Sequence, residues 1–141
     1  MPLDAQEFMA LHRHWMWANI IKKHFEGVAA EVGKVGDKPD GPLLLAGHYG
    51  AYMSIWYGML FGTLEVLKKR DVVIPEIQAD IDGIFEGLRK YRNAVFHPQE
   101  EYLSPKLFEI MKDPDSVRKI WSVHAGLGGY FLAEFKRRRQ E

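Results

Sequence analysis

The stretch Leu88-Arg89-Lys90-Tyr91-Arg92-Asn93-Ala94-Val95-Phe96-His97-Pro98 holds the residue types best suited to chemistry. On an ideal helix Arg89, Arg92, Asn93 and His97 span about 140° of arc, and Asn93 and His97 are neighbours four residues apart. Pro98 biases His97 away from α geometry, so the helix is expected to end there with the imidazole able to swing. An arginine, an amide and a histidine on one edge suit phosphate chemistry. Arginine grips a phosphate with a planar fork. Histidine gives or takes a proton near neutrality, and the amide can orient it.

The elements that must position these residues are helical. Ile77, Ile81, Ile84, Leu88, Tyr91 and Val95 fall within about 80° at 100° per residue, which turns the polar edge away from a core stripe. Pro75 fits the first turn of that helix and Pro98 closes it. Upstream, Asp4 and Glu7 form a capping box, followed by a stripe of Phe8, Leu11, Trp15, Ala18, Phe25, Val28 and Val32. Gly33, Gly36 and Lys38-Pro39-Asp40-Gly41 end this first helix. Pro42 opens an apolar segment running to about Arg70. Within it, Leu43 to Leu64 carries no charge over 22 positions, long enough to span a bilayer. Its tyrosines, Trp56, Ser54, His48 and four glycines point instead to a helix buried in a protein core, with no membrane partner. Ser104-Pro105 opens a short helix holding Leu107, Phe108 and Met111. Asp113-Pro114 opens the last helix, which carries Val117, Ile120, Trp121, His124, Leu127, Phe131 and Phe135 on one side. Val72-Val73-Ile74 is too short and too isolated for a sheet. The expected fold is a single all-α domain over residues 1–141, an up-and-down bundle of four main helices plus one short helix.

Arg92-Asn93-Ala94-Val95-Phe96-His97 resembles the R-N-x-x-x-H motif of the HEPN domain family. In that motif Arg and His are separated by four to six residues and a polar residue follows the Arg. The looser pattern recurs from Arg118 to His124, but Lys119 follows that arginine. The chain holds only 2 asparagines, so an R-N-x-x-x-H match is expected by chance about 0.005 times. The resemblance implies an α-helical bundle that dimerises and brings two motifs together. It also implies a metal-independent endoribonuclease acting on RNA without a cofactor, as a toxin or phage-defence component partnered by an antitoxin protein. Other members of the family are non-catalytic dimeric modules that bind nucleotide, RNA or protein. On the ribonuclease reading His97 is the general acid or base, Arg92 stabilises phosphoryl charge and Asn93 orients His97 or binds phosphate. Some family toxins carry a modifiable tyrosine two residues after the histidine. Here Gln99 stands at that position and the next tyrosine is Tyr102.

The remaining candidates divide by chemistry. Arg89 and the terminal cations Lys136, Arg137 and Arg138 could track an RNA backbone, which requires only charge. The plainer reading is that the tail is a solvated helix end, and that Arg92 pairs Glu100 or Glu101 while His97 caps carbonyls. His12 and His14 are two apart, point to different faces and flank Trp15 and Trp17, so they read as surface or interface residues. His48 and His124 read as core histidines, or with Glu134 as a bundle metal site. Gly58 and Gly62, like Gly126, Gly128 and Gly129, read as close helix contacts.

Composition narrows the classes further. Lys+Arg and Asp+Glu number 19 each, and there is no cysteine. The balance excludes a strongly basic nucleic-acid coat protein, and the missing thiols exclude disulfide scaffolds, zinc fingers and Fe–S clusters. No phosphate loop, Rossmann fingerprint or H-E-x-x-H occurs. The start of the chain lacks a basic region followed by an apolar one, so no signal peptide and a cytoplasmic location are expected.

Overall fold

The computed structural model describes residues 2–34, 47–98 and 105–141. Among the described residues the helices follow in the order α1 (Ala5–Lys34), α2 (His48–Lys69), α3 (Gln78–Phe96), α4 (Pro105–Phe108) and α5 (Pro114–Arg139). There is no strand among the described residues. α1 packs on α2, α2 on α3 and α3 on α5, and α5 returns to α1. Each long pair is antiparallel. His14 lies against Gly62 while Phe25 lies against Tyr49, and Tyr57 meets Tyr91 while Phe61 meets Phe85. Lys119 meets Gly83 while Ile77 meets Gly126. The architecture is all-α, and the described residues form an up-and-down bundle of four main helices and one short helix.

Local chemistry sets the helix ends. The Asp4 and Glu7 side chains exchange hydrogen bonds with each other's backbone N–H at 2.8 and 3.1 Å, closing the capping box. Asp113 caps α5 by accepting from the Asp115 N–H at 3.1 Å, and Pro114 occupies the first turn. Between α2 and α3, Asp71 takes a positive φ of 54°. Pro75 lies outside the first turn that its proline signal implied, two residues before the Ile77 cap. The Ile77 N–H closes a tight turn onto the Ile74 carbonyl, so α3 begins at Gln78.

α2 explains the long uncharged segment. Met53, Trp56, Tyr57, Leu60, Phe61, Leu64 and Leu67 are all buried, because the helix faces α1, α3 and α5 at once. No helix among the described residues is long and apolar enough to cross a membrane. Residues 43–46, where the uncharged run begins, lie outside the described residues.

His124 organises the polar part of the core. It is 2 % exposed. Its Nδ1 accepts the Trp56 indole N–H at 3.1 Å, and its Nε2 stands 3.0 Å from Asn19 Oδ1. An indole nitrogen can only donate, so Nε2 carries the ring proton and donates to Asn19. Trp15 donates to the His124 carbonyl at 3.2 Å. One residue thus ties α1, α2 and α5 together. Burial, reinforced by the Lys22 ammonium, pushes the His124 imidazole down to about 4. An unfolded histidine protonates near 6.5. Between those values the unfolded chain takes up a proton that the folded protein refuses, so stability falls as pH drops from about 6.5 to about 4. The expected loss is about 3 kcal/mol, read as a falling denaturant midpoint across that interval.

Candidate functional site

A groove of about 480 Å³ opens between α1, α2 and α3, lined by His14, Gly58, Met59, Gly62, Arg92, Asn93, Phe96 and His97. All three residues of the R-N-x-x-x-H motif therefore share one concavity. The α3 helix delivers them by its periodicity. Leu88, Tyr91 and Ala94 are buried beneath, while Arg92 and Asn93 lie half-exposed on the flank. α3 stops at Phe96, and His97 adopts an extended conformation (φ −114°, ψ 111°) with its N–H bonded to the Asn93 carbonyl at 3.0 Å. Pro98 accounts for this, since it disfavours helical geometry in the residue before it.

Two glycines form the floor. A Cβ on Gly58 would stand 2.7 Å from the Phe96 ring and 3.9 Å from Arg92 Cγ. A Cβ on Gly62 would stand 3.1 Å from His14 Nε2. Their four-residue spacing, one turn of α2, lets α3 side chains approach on one side and an α1 side chain on the other.

Arg92 is held by the fold, with Glu65 as its one carboxylate contact among the described residues. Its guanidinium stacks 4.7 Å from the centre of the Phe61 ring, a cation–π contact. The carboxylate of Glu65 is 3.9 Å away, at the outer limit of an ion pair. Arg92 Nε is buried with no hydrogen-bond partner among the described residues. An arginine so stacked is pre-oriented for an anion, and such orphaned donors are uncommon in native proteins. Glu100 and Glu101, the carboxylates of the plainer reading, lie outside the described residues, as do Gln99 and Tyr102.

The other cations named from sequence do not line the groove. Arg89, half-exposed, forks onto Glu86 of its own helix at 3.0 and 3.1 Å. Arg137 pairs with Glu134 and Glu141. Arg138 binds Glu134 at 3.0 Å and the Leu3 carbonyl at 2.8 Å, and stacks 4.4 Å over Phe8. Lys136 is exposed on the same last turn. The i,i+3 and i,i+4 spacing from Glu134 commits Arg137 and Arg138 to closing the end of the bundle.

The histidines separate into different roles. His48 is exposed at the start of α2, beside Tyr52, so it is not a core histidine. His124 lies near Trp56, eight residues or about 12 Å further along α2, and both its ring nitrogens are engaged. Glu134 is paired with arginines. No group of three His, Asp or Glu residues placed to hold a metal occurs among the described residues. His12 packs edge-on against Phe131 and Phe135, and its burial lowers its pKa.

His14 is the groove residue that the local sequence does not reveal. Its two-residue spacing from His12 and its tryptophan neighbours indicate a surface or interface residue. The signal lies instead in the glycine pair of α2, which an antiparallel α1 must cross. No family model, curated protein or solved structure matches this chain.

Proposed function

We propose that this chain is a metal-independent endoribonuclease of the HEPN kind, acting on RNA at the Arg92–Asn93–His97 groove. The observation that carries the reading is the convergence of those three side chains in one glycine-floored concavity, with the Arg92 fork stacked in place. The ribose 2′-hydroxyl attacks the adjacent phosphorus, and the 5′-oxygen departs. Arg92 stabilises the charge that builds on the phosphoryl oxygens, where preorganised donors are most effective. His97 transfers a proton, and Asn93 contacts the phosphate or orients His97. The ends expected are a 2′,3′-cyclic phosphate and a 5′-hydroxyl. The test is labelled single-stranded RNA in excess chelator, analysed for the cyclic phosphate. Failure of the wild type to cut any RNA favours the alternative, a non-catalytic dimeric module that binds nucleotide, RNA or a partner protein through the same groove. The zero net charge of the chain fits that alternative.

A homodimer belongs to the same reading, and so does an antitoxin protein that silences a toxin or defence enzyme in the cytoplasm. Phe96 stands 57 % exposed at the rim of the groove. Ile55, Met59, Gly62 and Val66 recur at helical spacing, and Ile55 and Val66 are exposed as well. An apolar strip beside a polar groove suits cover by a second copy. Phe85 does not join this strip, being half-buried between Phe61 and the Lys68 ammonium. The wild type should sediment as a dimer at micromolar concentration, and Phe96→Glu should shift it toward monomer. A wild type that stays monomeric removes the dimer.

A further inference from the structure

We propose that His14 is the second proton-transfer group of the groove, taking the proton from the ribose 2′-hydroxyl on its Nδ1 while His97 of the same chain protonates the departing 5′-oxygen. The inference rests on the ribonuclease reading and extends it. Cleavage by 2′-hydroxyl attack requires both a base and an acid, and the R-N-x-x-x-H motif of one chain holds one histidine, so the second group is either the His97 of a second copy or another residue of this chain. The groove holds a second imidazole that is oriented and has a defined tautomer.

The orientation comes from the backbone of α2. His14 Nε2 lies 3.1 Å from the Met59 carbonyl oxygen. A carbonyl can only accept, so Nε2 carries the proton and Nδ1 of the neutral ring keeps its lone pair. Mid-helix carbonyls are normally screened by side chains one turn further on. Gly62, three residues after Met59, has no side chain, so the imidazole occupies the space that a Cβ would take and reaches the carbonyl alongside the Thr63 hydroxyl, which donates to it at 3.2 Å. The Met59 carbonyl therefore holds His14 as second-sphere carbonyls hold ligand or catalytic histidines, fixing the ring and leaving the other nitrogen as the base. His14 and Arg92 sit beside Gly62 and Gly58, one helical turn apart, so the base and the phosphate-binding arginine flank one short stretch of groove.

The step balances within the chain. The 2′-hydroxyl proton passes to His14 Nδ1, the bond from 2′-oxygen to phosphorus forms, and the bond from phosphorus to 5′-oxygen breaks. That oxygen takes its proton from the His97 imidazolium. His14 ends protonated and His97 neutral, and exchange with water resets both.

His14→Gln is the informative variant, because the glutamine amide can still donate to the Met59 carbonyl while lacking a base. It should fold like wild type by circular dichroism and cut RNA about 10²–10⁴-fold more slowly. Its pH–rate profile should lose the low-pH limb. A uridine 3′-(4-nitrophenyl phosphate) probe separates the roles, since its leaving group departs without an acid. On this probe His97→Ala should recover to near the wild-type rate, and His14→Gln should remain impaired. On the same probe the wild-type profile, which needs no variant, should keep its low-pH limb and lose its high-pH limb. His24→Ala, at an exposed histidine outside the groove, should cut normally. Three results would overturn the assignment while leaving the ribonuclease reading intact. They are full RNA cleavage by His14→Gln, rescue of His14→Gln rather than His97→Ala by the aryl probe, and activity regained on mixing the two variants, which would place the histidines in different chains. A wild type that cuts no RNA removes both readings together.

Discussion

RNA incubated with His97→Ala in excess chelator should stay nearly intact, with cleavage reduced about 10²–10⁴-fold, the usual cost of deleting a general acid or base. The fold should be unchanged, because His97 is exposed beyond the last turn of α3, and surface changes usually stay within about 0.5 kcal/mol. Arg92→Ala should lose comparable activity but also some stability, since it removes the cation over Phe61, a contact of about 0.5–1 kcal/mol. Arg92→Lys should recover activity only in part, because an ammonium supplies charge without the planar fork. Cleavage that survives His97→Ala at the wild-type rate would exclude His97 from the chemistry. A large loss of stability in that variant would make the residue structural.

The largest effect on the fold should come from His124→Ala. Removing this imidazole leaves the Trp56 indole N–H and the Asn19 amide oxygen without their partner. The buried indole N–H left unsatisfied costs about 1–3 kcal/mol, the half-buried Asn19 amide less, and the cavity left behind adds to this. A loss of about 3–5 kcal/mol is a large share of the stability of a domain of this size. The check is a denaturant titration of His124→Ala against His24→Ala. Near-equal midpoints would show that the network contributes little. The Arg118-to-His124 spacing, which matches the loose motif, therefore has a structural explanation, since its histidine is closed off in the core.

What was legible in the sequence followed from local rules. The α3 stripe, the capping box at Asp4, the proline stop after His97 and the buried character of the uncharged segment each depend on neighbours within a few residues. Ile81, Ile84, Leu88 and Tyr91 are buried as their spacing implies. The gathering of Arg92, Asn93 and His97 was legible for the same reason, because one helix carries all three. What was not legible depends on which helix faces which. His14 joins the groove only through the register of α1 on α2. His48 and His124 look alike in the sequence, yet one is exposed and the other buried, because only the second lies where three helices converge. Spacing alone left the terminal arginines as either a solvated helix end or an RNA-tracking tail, and it did not show that Glu134 one turn back and the Leu3 carbonyl at the other end of the chain engage Arg137 and Arg138.

The crowding around His124 also makes the core optically visible. Trp15 and Trp56 lie 5.3 and 5.8 Å from its ring, and Trp121 lies 5.3 Å from Trp56, with the Lys22 ammonium 4.1 Å over Trp121. Two of the 4 indoles in the chain thus contact one buried imidazole and a third, Trp121, packs on Trp56, while Trp17 stands half-exposed outside the cluster. Intrinsic emission should therefore shift when the junction of α1, α2 and α5 opens, so unfolding around His124 can be followed without any added label.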